Sequence, residues 1–153
     1  MIVVSDTSVI TSLIQIGRIG LLQKLHGEVL IPQAVCNELL RTHFEIPSFL
    51  EVRQVSDSAY VARLKVELDA GEAEAIVLAK EVRADLLLID EKLGRQIAAR
   101  EGIRMTGLIG LIVDAKRCGK ISSAREVIHQ LESLAGFRVS DAVKREAIKA
   151  AGE

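Results

Sequence analysis

Four carboxylates carry the chemistry open to this chain: Asp6, Glu38, Glu72 and Asp90. Asp6 and Asp90 each follow a short apolar run, Ile2-Val3-Val4-Ser5 and Leu86-Leu87-Leu88-Ile89. Such runs, flanked by helical patterns, read as buried parallel strands. In open α/β sheets, chemistry gathers outside the carboxyl ends of the strands. Several acids cannot all stay ionised side by side there without a cation. The pattern therefore points to a divalent metal site.

The elements that must position these acids alternate along the chain. Strands are expected at 2–5, 29–31, 52–55, 86–89 and 104–106, the third a weak edge strand. Helices are expected at 9–16, 19–25, 33–41, 58–68, 72–82, 91–100 and 108–118, with a loop at 42–51. Two amphipathic helices follow, one opening with a Ser123-x-x-Glu126 capping box and the other after Ser140. Alternating strands and helices indicate a mostly parallel sheet of about five strands with helices on both faces. One domain is expected over 1–153, with a core at 1–119 and a helical C-terminal appendage at 120–153.

Composition narrows the function classes. The chain has 153 residues and is nearly half apolar, yet only four residues are aromatic. Its core must be built from Leu, Ile, Val and Ala. A net charge of −1 gives no domain-wide basic field for nucleic acid, so any such contact is local or brief. Cys36 and Cys118 lack metal-ligand spacing and read as buried, reduced thiols. A first strand starting at residue 2 leaves no room for a signal peptide, and no apolar run approaches the ~20 residues of a membrane helix. A soluble, cytoplasmic protein is expected.

Simple geometry brings three of the acids to one rim. A helix of about 11 residues after Glu72 descends roughly 16 Å, and the return strand climbs about 15 Å. Asp90 then regains the level of Glu72, and Asp6 ends the first strand at the same edge. Glu38 lies roughly 9 Å down its helix and must point inward to join them. Each acid also has a purely structural role open to it. Asp6 and Asp90 suit helix N-caps, Glu72 suits an Asp69-x-x-Glu72 capping box, and Glu38 suits a surface acid paired with Arg41.

Taken together, these residues resemble the PIN-domain nucleases. The resemblance rests on Val4-Ser5-Asp6-Thr7-Ser8, Ile31-Pro32-x-x-Val35-x-x-Glu38-Leu39, Gly71-Glu72-Ala73-Glu74-Ala75-Ile76 and Leu88-Ile89-Asp90-Glu91. The gap 90 − 72 = 18 is close to the family's spacing of its third and fourth acids. Thr106-Gly107-Leu108 also looks like a PIN-like prokaryotic subfamily without an assigned function; the characterised relatives are VapC-type toxins.

The resemblance implies a three-layer α/β/α fold and a ribonuclease using Mg²⁺ or Mn²⁺, the toxin of a toxin–antitoxin pair. Asp6 and Asp90 are then the main metal ligands, with Glu38 and Glu72 completing the shell and orienting the attacking water. Ser8 is a helper that bonds a ligand carboxylate or a phosphate, and Thr7 and Glu91 are further helpers. Hard divalent cations take such carboxylate oxygens and activate water. Lys92 and Arg95 are candidate RNA contacts, or simply a solvated helix face. The implied partners are RNA, a small antitoxin protein and a second copy of the chain in a homodimer, with no membrane.

Rival readings are weaker or of another class. A haloacid-dehalogenase-type phosphatase needs a second acid two residues after the first, where this chain has Ser8. A receiver-like phosphoacceptor lacks a matching late lysine. The main alternative is a catalytically weak or inactive PIN-like interaction module, whose acidic pocket receives a basic side chain from a partner.

Overall fold

The computed structural model describes residues 1–43 and 45–153. Five parallel strands form its sheet, in the order β3-β2-β1-β4-β5. They are β1 (Val3–Ser5), β2 (Val29–Pro32), β3 (Leu50–Arg53), β4 (Leu86–Leu88) and β5 (Met105–Thr106). All four pairings are parallel, and β3 is an edge, as its sequence suggests. The helices between them are α1 (Thr7–Gln15), α2 (Gly20–His26), α3 (Gln33–Thr42), α4 (Ser58–Leu64), α5 (Ala70–Glu81), α6 (Lys92–Arg100) and α7 (Leu108–Arg117). Helices α8 (Ala124–Leu134) and α9 (Asp141–Ala150) follow.

Strand alternation builds the three layers. Val3, Leu86 and Leu88 face one side and join a core cluster with Ile10 and Leu13 of α1, Val35 and Leu39 of α3, and Leu111 and Ile112 of α7. Val4, Leu87 and Ile89 face the other side and join Ile76 and Val77 of α5 and Ile97 of α6. This is the period-two alternation of a strand buried on both faces. Helices α8 and α9 bury Val127, Ile128, Leu131 and Ile148 in the first cluster.

The chain leaves β1 for β2 and β3 on one side, then returns to β4 on the other. The sheet therefore has its switch point between β1 and β4, where a crevice opens outside the strand ends. Register fixes the depth of that crevice: Ser5 pairs with Leu88, and Leu88 with Thr106. The Asp6 N–H extends the ladder to the Leu88 carbonyl at 3.0 Å. Asp6 and Asp90 therefore emerge on either side of the switch point.

Several boundaries differ from the sequence reading. Helix α4 stops at Leu64 rather than 68, and the chain turns there before α5. The third strand lies at Leu50–Arg53 rather than 52–55, because Leu50 is the residue that pairs with Val29 and is buried. Helix α5 starts two residues early, because Asp69 caps it and Gly71 lies inside its first turn. Part of the loop expected at 42–51, residue 44, lies outside the described residues. Cys36 is buried but Cys118, at the end of α7, is exposed, so it is not the buried thiol expected. No described helix is long and apolar enough to cross a membrane.

Candidate active site

Asp6 follows β1 and is the N-cap of α1. Its Oδ1 accepts the Val9 N–H and its Oδ2 the Ser8 hydroxyl, each at 3.2 Å. The residue is 1% exposed. Burial pushes its carboxyl up from the usual 3.8 to about 7, and the charge of Asp90 adds to the rise; the Val9 and Ser8 bonds oppose it. The capping role and proximity to a second acid thus coexist in one side chain.

Glu38 turns into the crevice from α3. Its Oε2 accepts the Thr7 hydroxyl, from the first residue of α1, and its Oε1 accepts the Gly71 N–H at 3.1 Å. It makes no ion pair with Arg41 among the described residues. One carboxylate therefore ties together the starts of α1 and α5.

Glu72 sits in the first turn of α5 within a complete capping box. Asp69 Oδ1 accepts the Glu72 N–H at 2.8 Å, and Glu72 Oε1 accepts the Asp69 N–H at 3.4 Å. Its other oxygen, Oε2, is buried without a hydrogen-bond partner. A buried, unpaired carboxylate oxygen is costly. Burial, then the contact with Asp69 and its charge, then Glu91, push this carboxyl well above the usual range. Gly94 of α6 backs it closely, since a Cβ there would lie 3.3 Å from Oε2 and 2.7 Å from Ile89 Cδ1. Glu74, the neighbouring acid, is turned elsewhere and accepts the Ala34 N–H of α3 at 3.1 Å.

These side chains enclose a cavity of about 320 Å³ lined by Asp6, Thr7, Ser8, Glu38, Glu72 and Glu91. Thr11, Ser12 and Asp69 complete the wall; sequence reasoning did not assign them to the site. The Asp69-x-x-Glu72 motif was the available signal for Asp69.

Asp90 takes a different direction. Its Oδ1 accepts the Leu108 N–H of α7 at 3.2 Å, while the N-cap of α6 is Glu91, without a side-chain bond. The expected cap of α6 is thus a bond to the start of α7. Asp90 lines a second cavity, together with Arg95. Burial raises its carboxyl, against the Leu108 N–H and Arg95, which lower it. Lys92 and Arg95 are exposed on this side, where they share a surface cavity with Asp90.

The donor set is carboxylate oxygen throughout, which suits a hard divalent cation such as Mg²⁺ or Mn²⁺. The unpartnered Glu72 Oε2 and the raised Asp6 mark carboxyls whose charged forms lack internal compensation. Among the described residues, however, no group of three His, Cys, Asp or Glu side chains is arranged to hold an ion together. The chemistry of the donors fits, while Asp6, Glu38 and Glu72 line one cavity and Asp90 another.

A family model described as a PIN domain matches residues 2–153, and the chain belongs to that family. PIN domains are generally nucleases that act on nucleic acids, usually with divalent metals. Comparison with curated proteins gives no match, and comparison with solved structures gives none either.

Proposed function

We propose that the protein is a divalent-metal-dependent ribonuclease, the toxin of a toxin–antitoxin pair, with Asp6, Glu38, Glu72 and Asp90 as its catalytic acids. The observation that carries this reading is the Glu72 carboxylate, buried with one oxygen unpartnered in a cavity that also holds Asp6 and Glu38. Such an arrangement is unfavourable for an empty fold and favourable for one that binds a cation there.

Asp6 and Asp90, flanking the switch point, are the residues to hold Mg²⁺ or Mn²⁺, with Glu38 and Glu72 beside them. The ion would supply water activation and charge neutralisation at the phosphate. Thr7 and Gly71 orient Glu38, Ser8 orients Asp6, and the Leu108 N–H orients Asp90. The toxin role and a small antitoxin partner rest on the family resemblance, and so does the homodimer.

The test is purified protein with Mn²⁺ or Mg²⁺ and RNA, compared with Asp6→Asn and Asp90→Asn. Cleavage lost in both variants supports the reading; cleavage surviving in both assigns it to a contaminant. A second reading, a weak or inactive interaction module, is favoured by the spread of the acids in the structure. Metal binding in calorimetry with no cleavage of any RNA selects that reading.

A further inference from the structure

The acidic cavity is ill-suited to hold a polyanion by itself, because among the described residues five carboxylates line it and no cationic side chain does. A second cavity of about 540 Å³, with Asp90 in its wall, has the opposite character. Arg95 enters it from α6, and Arg138 from the connection between α8 and α9. Both arginines are exposed, and neither has a carboxylate within ion-pair distance among the described residues. Among the described residues, Asp90 is the only acid in its wall.

The remaining lining suits more than a bare anion. Gly107 and Gly110 form the floor where α7 begins. A Cβ at Gly107 would overlap Asp90 Oδ1, and one at Gly110 would overlap the Thr106 hydroxyl. The Asp90 and Thr106 side chains thus pack directly on these glycines, and the N–H groups of Ile109 and Gly110 are among those that a helix start leaves without an intrahelical partner. Phe137 and Val143 add an aromatic ring and an apolar side chain, and Val143 is 46% exposed. Two guanidinium groups without a carboxylate partner, a helix start and an aromatic ring are parts that can hold a nucleotide. The volume is in the range of ordinary ligand pockets.

We infer that this cavity seats one nucleotide of the RNA strand next to the bond cut at the acids, its phosphate between Arg95 and Arg138 and its base against Phe137. The inference rests on the ribonuclease reading for its substrate. Consecutive residues mark the boundary between the two cavities, because Glu91 lines one beside Asp6 and Asp90 lines the other. A strand seated by the arginines is carried across that boundary. The basic side then supplies the attraction and the acidic side the chemistry.

The experiment measures binding apart from cleavage. A 5′-labelled single-stranded oligoribonucleotide is titrated with the full chain in EDTA, by fluorescence anisotropy, over a series of salt concentrations. Arg95→Ala and Arg138→Ala should each weaken binding about fivefold or more and lower the salt slope by roughly 0.7. Arg125→Ala, on α8 and outside the cavity, should change neither. In Mn²⁺, Arg138→Ala should raise KM for RNA and leave kcat near that of the unmodified protein. Wild-type affinity and slope in both cavity variants would overturn the seat, and so would competition by polyglutamate as effective as by unlabelled RNA. Arginine-dependent binding without any cleavage keeps the seat and removes the nuclease reading. Cleavage with arginine-independent binding does the reverse.

Discussion

The Glu38 carboxylate rests on the backbone of Gly71, accepting its N–H at 3.1 Å, and a Cβ at that glycine would stand 2.8 Å from Glu38 Oε2 and 2.9 Å from Thr7 Oγ1. An acid from mid-helix α3 is therefore held at the start of α5 by a residue that must lack a side chain. Gly71 sits inside a helix, where alanine is intrinsically better by about 1 kcal/mol. Its presence is explained by the close approach, and by nothing in the helix itself.

Gly71→Ala separates the two effects. The new methyl displaces Glu38 and Thr7 from each other while helix propensity improves. The melting temperature should change little, and RNA cleavage should fall about 10–100-fold, as for a sub-ångström to ångström misplacement of a catalytic group. Parallel measurement of kcat/KM and thermal unfolding checks this; unchanged cleavage would show that Glu38 has no catalytic part.

Asp6 should make stability depend on pH in an unusual direction. Its folded pKa, about 7, lies above the ordinary 3.8. Between those values the folded state holds the extra proton, so stability is full below about pH 4 and is lost as pH rises to about 7. The upper bound on this loss is ~4 kcal/mol. Asp6→Asn keeps an oxygen to cap the Val9 N–H and removes the charge. In EDTA it should unfold at a higher temperature than the parent at pH 7.5, with the difference vanishing near pH 4. Added Mn²⁺ should raise the melting temperature of the parent and leave that of Asp6→Asn nearly unmoved. A variant less stable than the parent at pH 7.5 would show that burial does not penalise this carboxylate.

Glu72→Gln tests the orphaned oxygen. Glutamine keeps an acceptor for the Asp69 N–H, so the capping box survives. The raised carboxyl is mostly protonated at neutral pH without metal, so glutamine mimics that neutral form. Stability in EDTA should hold there and rise only as pH climbs past about 8. Mn²⁺ affinity should drop by about 10–100-fold, read by calorimetry, and cleavage should fall by at least about 100-fold. Metal affinity equal to that of the parent would remove Glu72 from the site.

The strands and the two acids that follow them were legible because Val3, Val4, Leu87 and Leu88 are buried on both faces of a parallel sheet, and such runs have no polar interruptions. The inward turn of Glu38 was a requirement of the reading rather than an outcome of it. What holds it there is a contact with Gly71, 33 residues away, invisible to local periodicity. Asp90 shows the limit more sharply. The pattern after β4 allowed a cap on α6, but Glu91 takes that position and Asp90 reaches α7, whose first N–H lies 18 residues on. Glu72 and Glu74 are chemically alike in the sequence. They separate only when α3 packs on α5 and offers the Ala34 N–H to Glu74.

Gly107 should prove less tolerant than Gly71, for a related reason. A methyl there would overlap Asp90 Oδ1, the oxygen that accepts the Leu108 N–H. Moving Asp90 leaves the first N–H of α7 without its acceptor, a loss of about 1–2 kcal/mol, and takes a proposed metal ligand from its place. Gly107→Ala should therefore lower both the melting temperature and cleavage. Gly20→Ala is the comparison, since nothing lies within 4 Å of its added Cβ and it stands in the first turn of α2 at ordinary φ. That variant should gain up to about 1 kcal/mol and cleave RNA as before. Equal behaviour of the two variants in denaturant and in the RNA assay would mean that the contact between Asp90 and α7 is incidental to both stability and catalysis.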